Sequence, residues 1–287
     1  MRFAVYDDER LGIVVGDEIV DVSDLVVPGQ QGPGGPLLRL IEQGYDPAPQ
    51  TAQRLRGRAR QALKQARLRA PLPRPGKIIG APVNYLDHKA EMSVPQTIAE
   101  YGVFLKAASS VSGPGEAIRL PYLDKRTDQE AELTVVIGRT ARNVGVDEAL
   151  NYVFGYTCGL DITVRSSEDR STRKSFDTFT PLGPWVVTPD EIGDAGDLEL
   201  RCWVNGELRQ QTNTGDLIFN VAELIAYSSS IMTLWPGDVI LTGTPAGVGP
   251  IAHGDRLVVE IEKVGQLAVT ASAEGAVPYA SRPGPRR

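Results

Sequence analysis

The sequence predicts a β-rich α+β protein, and three observations carry that prediction. From Lys77 onward short β-type runs recur while helical stretches are few. Strands and helices do not alternate one for one, as the βαβ units of a doubly wound nucleotide-binding sheet require. Glycine and proline are abundant, 30 and 21 of 287 residues, yet apolar content is an ordinary 41%, which reads as many turns rather than disorder. A chain of this length allows one or two domains of roughly 100–200 residues. It can bury a core that needs no disulfide or metal staple.

The elements follow in order. Apolar runs RFAVY (2–6), LGIVV (11–15) and EIVDV (18–22), separated by turns, predict a short antiparallel meander. A Gly- and Pro-rich loop from Pro28 to Pro36 leads to a short helix, LLRLIEQG, ending at a glycine C-cap. Residues 51–70 have helical composition and carry seven Arg or Lys and no acid. Residues 1–50 carry nine acids against three bases, so the two charges nearly cancel, and the basic stretch has no aromatic to stack on nucleic-acid bases. This basic helix is therefore expected to be solvated or acid-paired. PLPRPG (71–76) reads as a linker. The expected organisation is a small strand-rich domain over 1–70, the linker, a larger domain over 77–280 and a tail at 281–287.

In the larger unit the β-type runs are KIIG, VFLK, AELTVVIG, the stretch from Val153 to Val164, WVV, LELRCWV, DVILTG, RLVVEIE and LAVTAS. Helices are expected near 83–92, 147–152 and 218–232. Asn205-Gly206, between LRCWV and ELRQQ, predicts a tight hairpin.

A net charge of −6 argues against a general polyanion binder. Two cysteines without a CxxC pattern indicate a reducing, cytoplasmic setting. The opening MRFAVYDDER places acids where a signal peptide needs an apolar core, and no apolar run approaches the ~18 residues of a membrane span. No nucleic-acid or membrane partner is expected.

The most informative segment is Asp128-Gln-Glu130-Ala-Glu132-Leu-Thr-Val-Val-Ile-Gly138. On a strand, Ala131, Leu133, Val135 and Ile137 form one apolar face, and Glu130 and Glu132 share the other, roughly 7 Å apart. Two such carboxylates repel each other unless a positive charge lies between them, and a hard divalent cation would suit. The alternative is an amphipathic strand with a solvated acidic face. Asp161 lies in the apolar VFGYTCGLDITV, where an uncompensated carboxylate is costly. Pairing with Arg165 or coordination of a metal would each resolve it.

Only two histidines occur. His253 sits in a turn and reads as structural or exposed. His88 precedes Glu91 by three residues, so on a helix the two share a face and the carboxylate would set the imidazole tautomer of a general base. The sequence contains no GxSxG elbow, no HExxH and no Cys/His zinc cluster. Gly247-Val-Gly249-Pro-Ile-Ala252 imitates a dinucleotide loop but runs through Pro250 toward another strand.

With these segments in view, the chain resembles the fumarylacetoacetate hydrolase family, densely from Lys77 to Glu274. The matching stretches are KIIGAPVNYLDHKAEM (77–92), FLKAASSVSGPGEAIRLP (104–121), DQEAELTVVIGRTARNV (128–144), YVFGYTCGLDITVR (152–165), RKSFDTFTPLGPWVVTPDEI (173–192), VNGELRQQTNTGDLIF (204–219) and LWPGDVILTGTPAGVG (234–249). The resemblance implies a mixed β-sandwich roll, usually homodimeric. It also implies Glu130, Glu132 and Asp161 as ligands of Mg²⁺ or Mn²⁺, and His88 with Glu91 as the dyad that activates water or moves a proton. Lys174 matches the lysine that faces the substrate, Thr244 the threonine that binds its carboxylate, and Gln210 lies in the loop nearby. Arg165 opens the run in which many members carry Arg-Asp-x-Gln; here Glu168 takes the glutamine position and would add negative charge.

The implied activity is hydrolysis of a C–C bond, or isomerisation, of a 2-oxo (di)acid through a metal-stabilised enolate in aromatic-compound catabolism. An oxaloacetate-type decarboxylase is the alternative within that chemistry, and a non-catalytic metal-binding homologue the alternative outside it.

Overall fold

The computed structural model describes residues 1–27, 33–46 and 55–283. Strands in chain order are β1 (Arg2–Tyr6), β2 (Arg10–Val15), β3 (Glu18–Asp21), β4 (Arg60–Ala62), β5 (Ile78–Gly80), β6 (Phe104–Lys106), β7 (Val111–Ser112), β8 (Ala117–Arg119), β9 (Thr127–Gln129) and β10 (Ala131–Ile137). They continue with β11 (Val153–Leu160), β12 (Thr163–Val164), β13 (Thr180–Val187), β14 (Glu199–Val204), β15 (Glu207–Asn213), β16 (Val239–Leu241), β17 (Gly249–Pro250), β18 (Arg256–Ile261) and β19 (Gly265–Ser272). The helices are α1 (Gly35–Glu42), α2 (Leu86–Glu91), α3 (Ile98–Tyr101), α4 (Val146–Ala149), α5 (Arg170–Arg173), α6 (Pro189–Ile192) and α7 (Val221–Ile231).

An eleven-stranded mixed sheet runs β4-β3-β2-β1-β13-β11-β10-β16-β5-β6, with β7 beside β13. A five-stranded sheet, β15-β14-β18-β19-β8, packs on it, and β12-β9-β17 form a small third sheet. Ala131, Leu133, Val135 and Ile137 enter the main core with Leu200, Cys202, Val259 and Leu267 of the five-stranded sheet, so the predicted apolar face of β10 is the one that closes the sandwich. On the other face of the large sheet, Val136 joins a second core with Phe3, Leu37, Leu40 and Ile41. The β-rich α+β expectation and the sandwich roll both hold. Asn205 and Gly206 adopt φ of 53° and 84°, the positive pair that a type I′ turn needs, and join β14 to β15.

One expectation is corrected. The predicted helix over 51–70 does not form where the chain is described, from 55 onward; residues 51–54 and Pro28–Gln31 with Gly32 of the N-terminal loop lie outside the described residues. Gly57 turns with φ of 72°, β4 pairs along β3, and the bases meet the acids of the meander. Arg58 binds Asp24, Arg60 binds Glu18 at 2.8 Å, and the Arg67 and Arg69 segment is tied to Asp7. Strand pairing and charge neutralisation outweigh a modest helix propensity. Across the expected boundary at 70 the large sheet is continuous, since β1 pairs with β13, and Leu72 of the expected linker is 1% exposed within the second core. Cys158 and Cys202 are buried free thiols. Among the described residues no helix is long and apolar enough to cross a membrane.

Candidate active site

Two neighbouring strands leave the large sheet at the same level. Glu130 stands between β9 and β10, and Asp161 between β11 and β12, where the expected continuous strand from Val153 to Val164 is interrupted. The Asp161 amide donates to the Glu130 carbonyl at 2.8 Å, pinning the two departures together. Glu132, the next residue on the polar face of β10, completes a trio. Glu130, Glu132 and Asp161 are 5%, 2% and 1% exposed, and one oxygen of each lies within 4.8 Å of the others. A solvated acidic face is thereby excluded.

The surrounding cations are unevenly shared. Lys174 Nζ donates to Glu130 Oε2 and Asp161 Oδ2, both at 2.6 Å, and to Thr163 Oγ1. Arg165 donates to Glu130 Oε1 at 2.9 Å and to Asp128. Asp161 Oδ1 is held by Lys106 Nζ at 2.6 Å. Asp161 thus pairs with two lysines, not with Arg165 as one reading of the sequence had it. Glu132 receives only the Gly243 amide, at 2.6 Å, and forms no ion pair among the described residues. Burial works to raise Glu130, but the charges of Lys174 and Arg165 outweigh it and hold the carboxyl at about 2. Burial, then the charge of Asp161, pushes Glu132 well above the usual carboxylate range.

Three clustered carboxylates form an all-oxygen donor set, which suits a hard divalent cation and not a thiophilic one. The 4.8 Å limit is slightly wider than the roughly 4.2 Å between trans ligands of an octahedral Mg²⁺. A small inward movement of side chains would close it. Glu132, buried without a cation, is the member such an ion would neutralise, so the residues fit the metal.

The trio opens into a small cavity of about 150 Å³ that communicates with solvent. His88, Thr244, Arg165 and Lys174 also line it. His88 comes from α2, whose preceding turn is anchored by Asn84: its side chain donates to the Phe219 and Thr242 carbonyls and accepts from the Phe219 amide. His88 Nδ1 lies 3.0 Å from Glu91 Oε2, as the i, i+3 spacing predicts. The other Glu91 oxygen accepts from the Gly247 amide at 3.0 Å, and Asp87 accepts from Ala246. The loop that imitated a dinucleotide motif is therefore the support of the His–Glu pair.

Gln210 stands behind the wall instead of on it. Its amide nitrogen donates to Thr244 Oγ1 at 2.7 Å and to the Pro245 carbonyl, its oxygen accepts from the Ala131 amide, and it is not among the cavity residues. Thr244 in turn donates to the Ala131 carbonyl. Glu168 also points elsewhere: it accepts from the Tyr279 hydroxyl at 2.6 Å and pairs with Arg282, so it adds no charge to the cavity wall. His253 accepts from the Ala273 amide in its turn. Sequence reasoning missed Lys106, whose signal was a lysine ending the apolar run VFLK, and the two arginines of α5 that line the cavity.

Gly247 has φ of 95°, and a Cβ there would lie 1.8 Å from the Arg209 carbonyl oxygen. Gly247→Ala is expected to displace the loop from Glu91 at a cost of at least about 1–3 kcal/mol. A thermal melt should drop and turnover fall together; an unchanged melt and rate would show that the loop tolerates the side chain.

A buried carboxylate trio beside a histidine–glutamate pair, at the seam of a β-sandwich roll, defines a metal-centred enzyme site. The chain belongs to the fumarylacetoacetate hydrolase family: the model described as "Fumarylacetoacetate (FAA) hydrolase C-terminal" matches residues 77–271. Maleylpyruvate hydrolase of Aquipseudomonas alcaligenes is 44% identical over 290 residues, covering 94% of this chain and 98% of that one. The crystal structure of maleylpyruvate hydrolase from Sphingobium sp. SYK-6 in complex with manganese (II) ion and pyruvate is 41% identical. It covers 97% of this chain and all of that one, with a TM-score of 0.84. The 5-carboxymethyl-2-hydroxymuconate delta-isomerase from Mycobacterium smegmatis is 31% identical, covers 95% and 99%, and has a TM-score of 0.76.

Proposed function

We propose that this protein is a divalent-metal-dependent hydrolase of aromatic-compound catabolism that cleaves an acylpyruvate-type 2-oxo diacid of the maleylpyruvate class. The observation that carries the reading is the convergence of Glu130, Glu132, Asp161 and the His88–Glu91 pair on one cavity. The full-length likeness to two maleylpyruvate hydrolases supports the substrate class.

Glu130, Glu132 and Asp161 would hold Mg²⁺ or Mn²⁺. An ion held there would supply Lewis-acid stabilisation of the enolate charge that C–C cleavage leaves. His88, its Nδ1 held by Glu91, takes a proton from water at Nε2, and the hydroxide adds to the acyl carbonyl. The bond between that carbonyl and the pyruvyl methylene breaks, its electron pair passing to the pyruvate enolate, and the proton returns to the methylene carbon. Water is consumed and a carboxylic acid and pyruvate leave. Lys174 keeps Glu130 and Asp161 in place and adds positive charge beside the developing enolate.

Protein stripped with EDTA and reloaded with Mg²⁺ or Mn²⁺ is expected to consume maleylpyruvate, followed by ultraviolet decay, with one pyruvate released per substrate. Absorbance change without pyruvate would make the enzyme an isomerase. No change with either metal would overturn the reading altogether.

A further inference from the structure

The catalytic cavity holds more positive charge than its metal end uses. Arg165 is engaged by Asp128 and Glu130, and Lys174 by Glu130, Asp161 and Thr163. Two further cations line the same space, Arg170 and Arg173 of α5, three positions apart and thus on one side of a helical turn. Among the described residues neither forms an ion pair. Arg170 lies over the Tyr101 ring, 4.3 Å from its centroid. Arg173 Nε is buried without a hydrogen-bond partner. Burial, reinforced by the neighbouring charge of Arg165, holds the Arg173 guanidinium below its usual range. A half-buried guanidinium with an unused donor beside other cations is costly unless an anion completes it.

Resting on the reaction class above, we propose that Arg170 and Arg173 form an anion subsite that takes the second carboxylate of a 2-oxo diacid whose first carboxylate and keto group lie at the carboxylate trio. Planar guanidinium forks suit a carboxylate better than a lysine point charge would. Val83, Met92, Val94 and Phe104 line the rest of the cavity and suit a short carbon chain between the two charged ends. The arginines thereby set specificity for diacids over neutral-tailed acylpyruvates and take no part in proton transfer.

The test uses two ligands of equal chain length that the enzyme cannot cleave, 2-oxoadipate and 2-oxohexanoate, titrated calorimetrically into the Mn²⁺-loaded protein. The parent should prefer the diacid by about tenfold or more, the size of one charge-assisted contact. Arg173→Gln and Arg170→Gln should each erode that preference and together abolish it, leaving 2-oxohexanoate affinity unchanged; Arg173→Lys should keep part of it. Equal binding of both ligands by the parent, or a preference that survives the double substitution, overturns the subsite and leaves the metal reading standing. Failure of both ligands to bind the Mn²⁺-loaded parent would overturn both.

Discussion

Glu132→Gln is expected to lower turnover by more than about a hundredfold, the scale set by losing one ligand of a catalytic metal, while the metal-free protein melts no lower than the parent. The two halves of this result come from the same geometry. Glu132 is buried near two other carboxylates and has no cation of its own, so its charge opposes folding until a metal arrives. Its raised pKa means that stability falls as pH rises through the range between the unfolded and the folded value. A neutral amide of the same shape removes that cost and still accepts from the Gly243 amide. Asp161→Ala should behave differently. It strands Lys106 and Lys174, both buried, and breaking a buried pair costs about 3–5 kcal/mol. Calorimetric melts of the two metal-free variants with Mn²⁺ titrations settle the matter. Equal melting losses would mean that the trio shares its cations evenly, contrary to the hydrogen bonds seen here.

His88→Ala should cut turnover by about 10²–10⁴, the usual worth of a general base, without altering Mn²⁺ affinity. Glu91→Gln should cost less, because the imidazole remains and only its orientation and basicity suffer. In a unit, losses do not add, so His88→Ala/Glu91→Gln should be no slower than His88→Ala alone. Additive losses would show that Glu91 acts chiefly through Gly247, whose amide it also holds. Loss of metal binding in His88→Ala would place the histidine among the ligands.

Much of this was legible from local pattern. Alternation along β10 told which residues enter the core, and the i, i+3 spacing told that His88 meets Glu91, because both depend only on the geometry of one element. Longer-range facts were not legible. Periodicity cannot say that two strands leave a sheet together at Glu130 and Asp161, or that Lys106, 55 residues before Asp161, closes the pair. Residues 55–70 were misread because their composition favours a helix while the open edge of β3 and its acids, distant in sequence, offered more. Gln210 and Glu168 were placed by resemblance at the substrate; the folded chain turns one behind Thr244 and the other toward Tyr279.

Arg173 is covalently joined to Lys174, whose ammonium is fastened to Glu130 and Asp161. The distance from the cage to the arginines is therefore gauged by a single peptide unit and one turn of helix. An engineer seeking to admit longer substrates could not simply splice residues into that turn, since every insertion would drag the lysine out of register. Selectivity for length would have to be retuned by exchanging side chains such as Val83 or Val94 without changing the number of residues, because the helix between them carries His88 and Glu91.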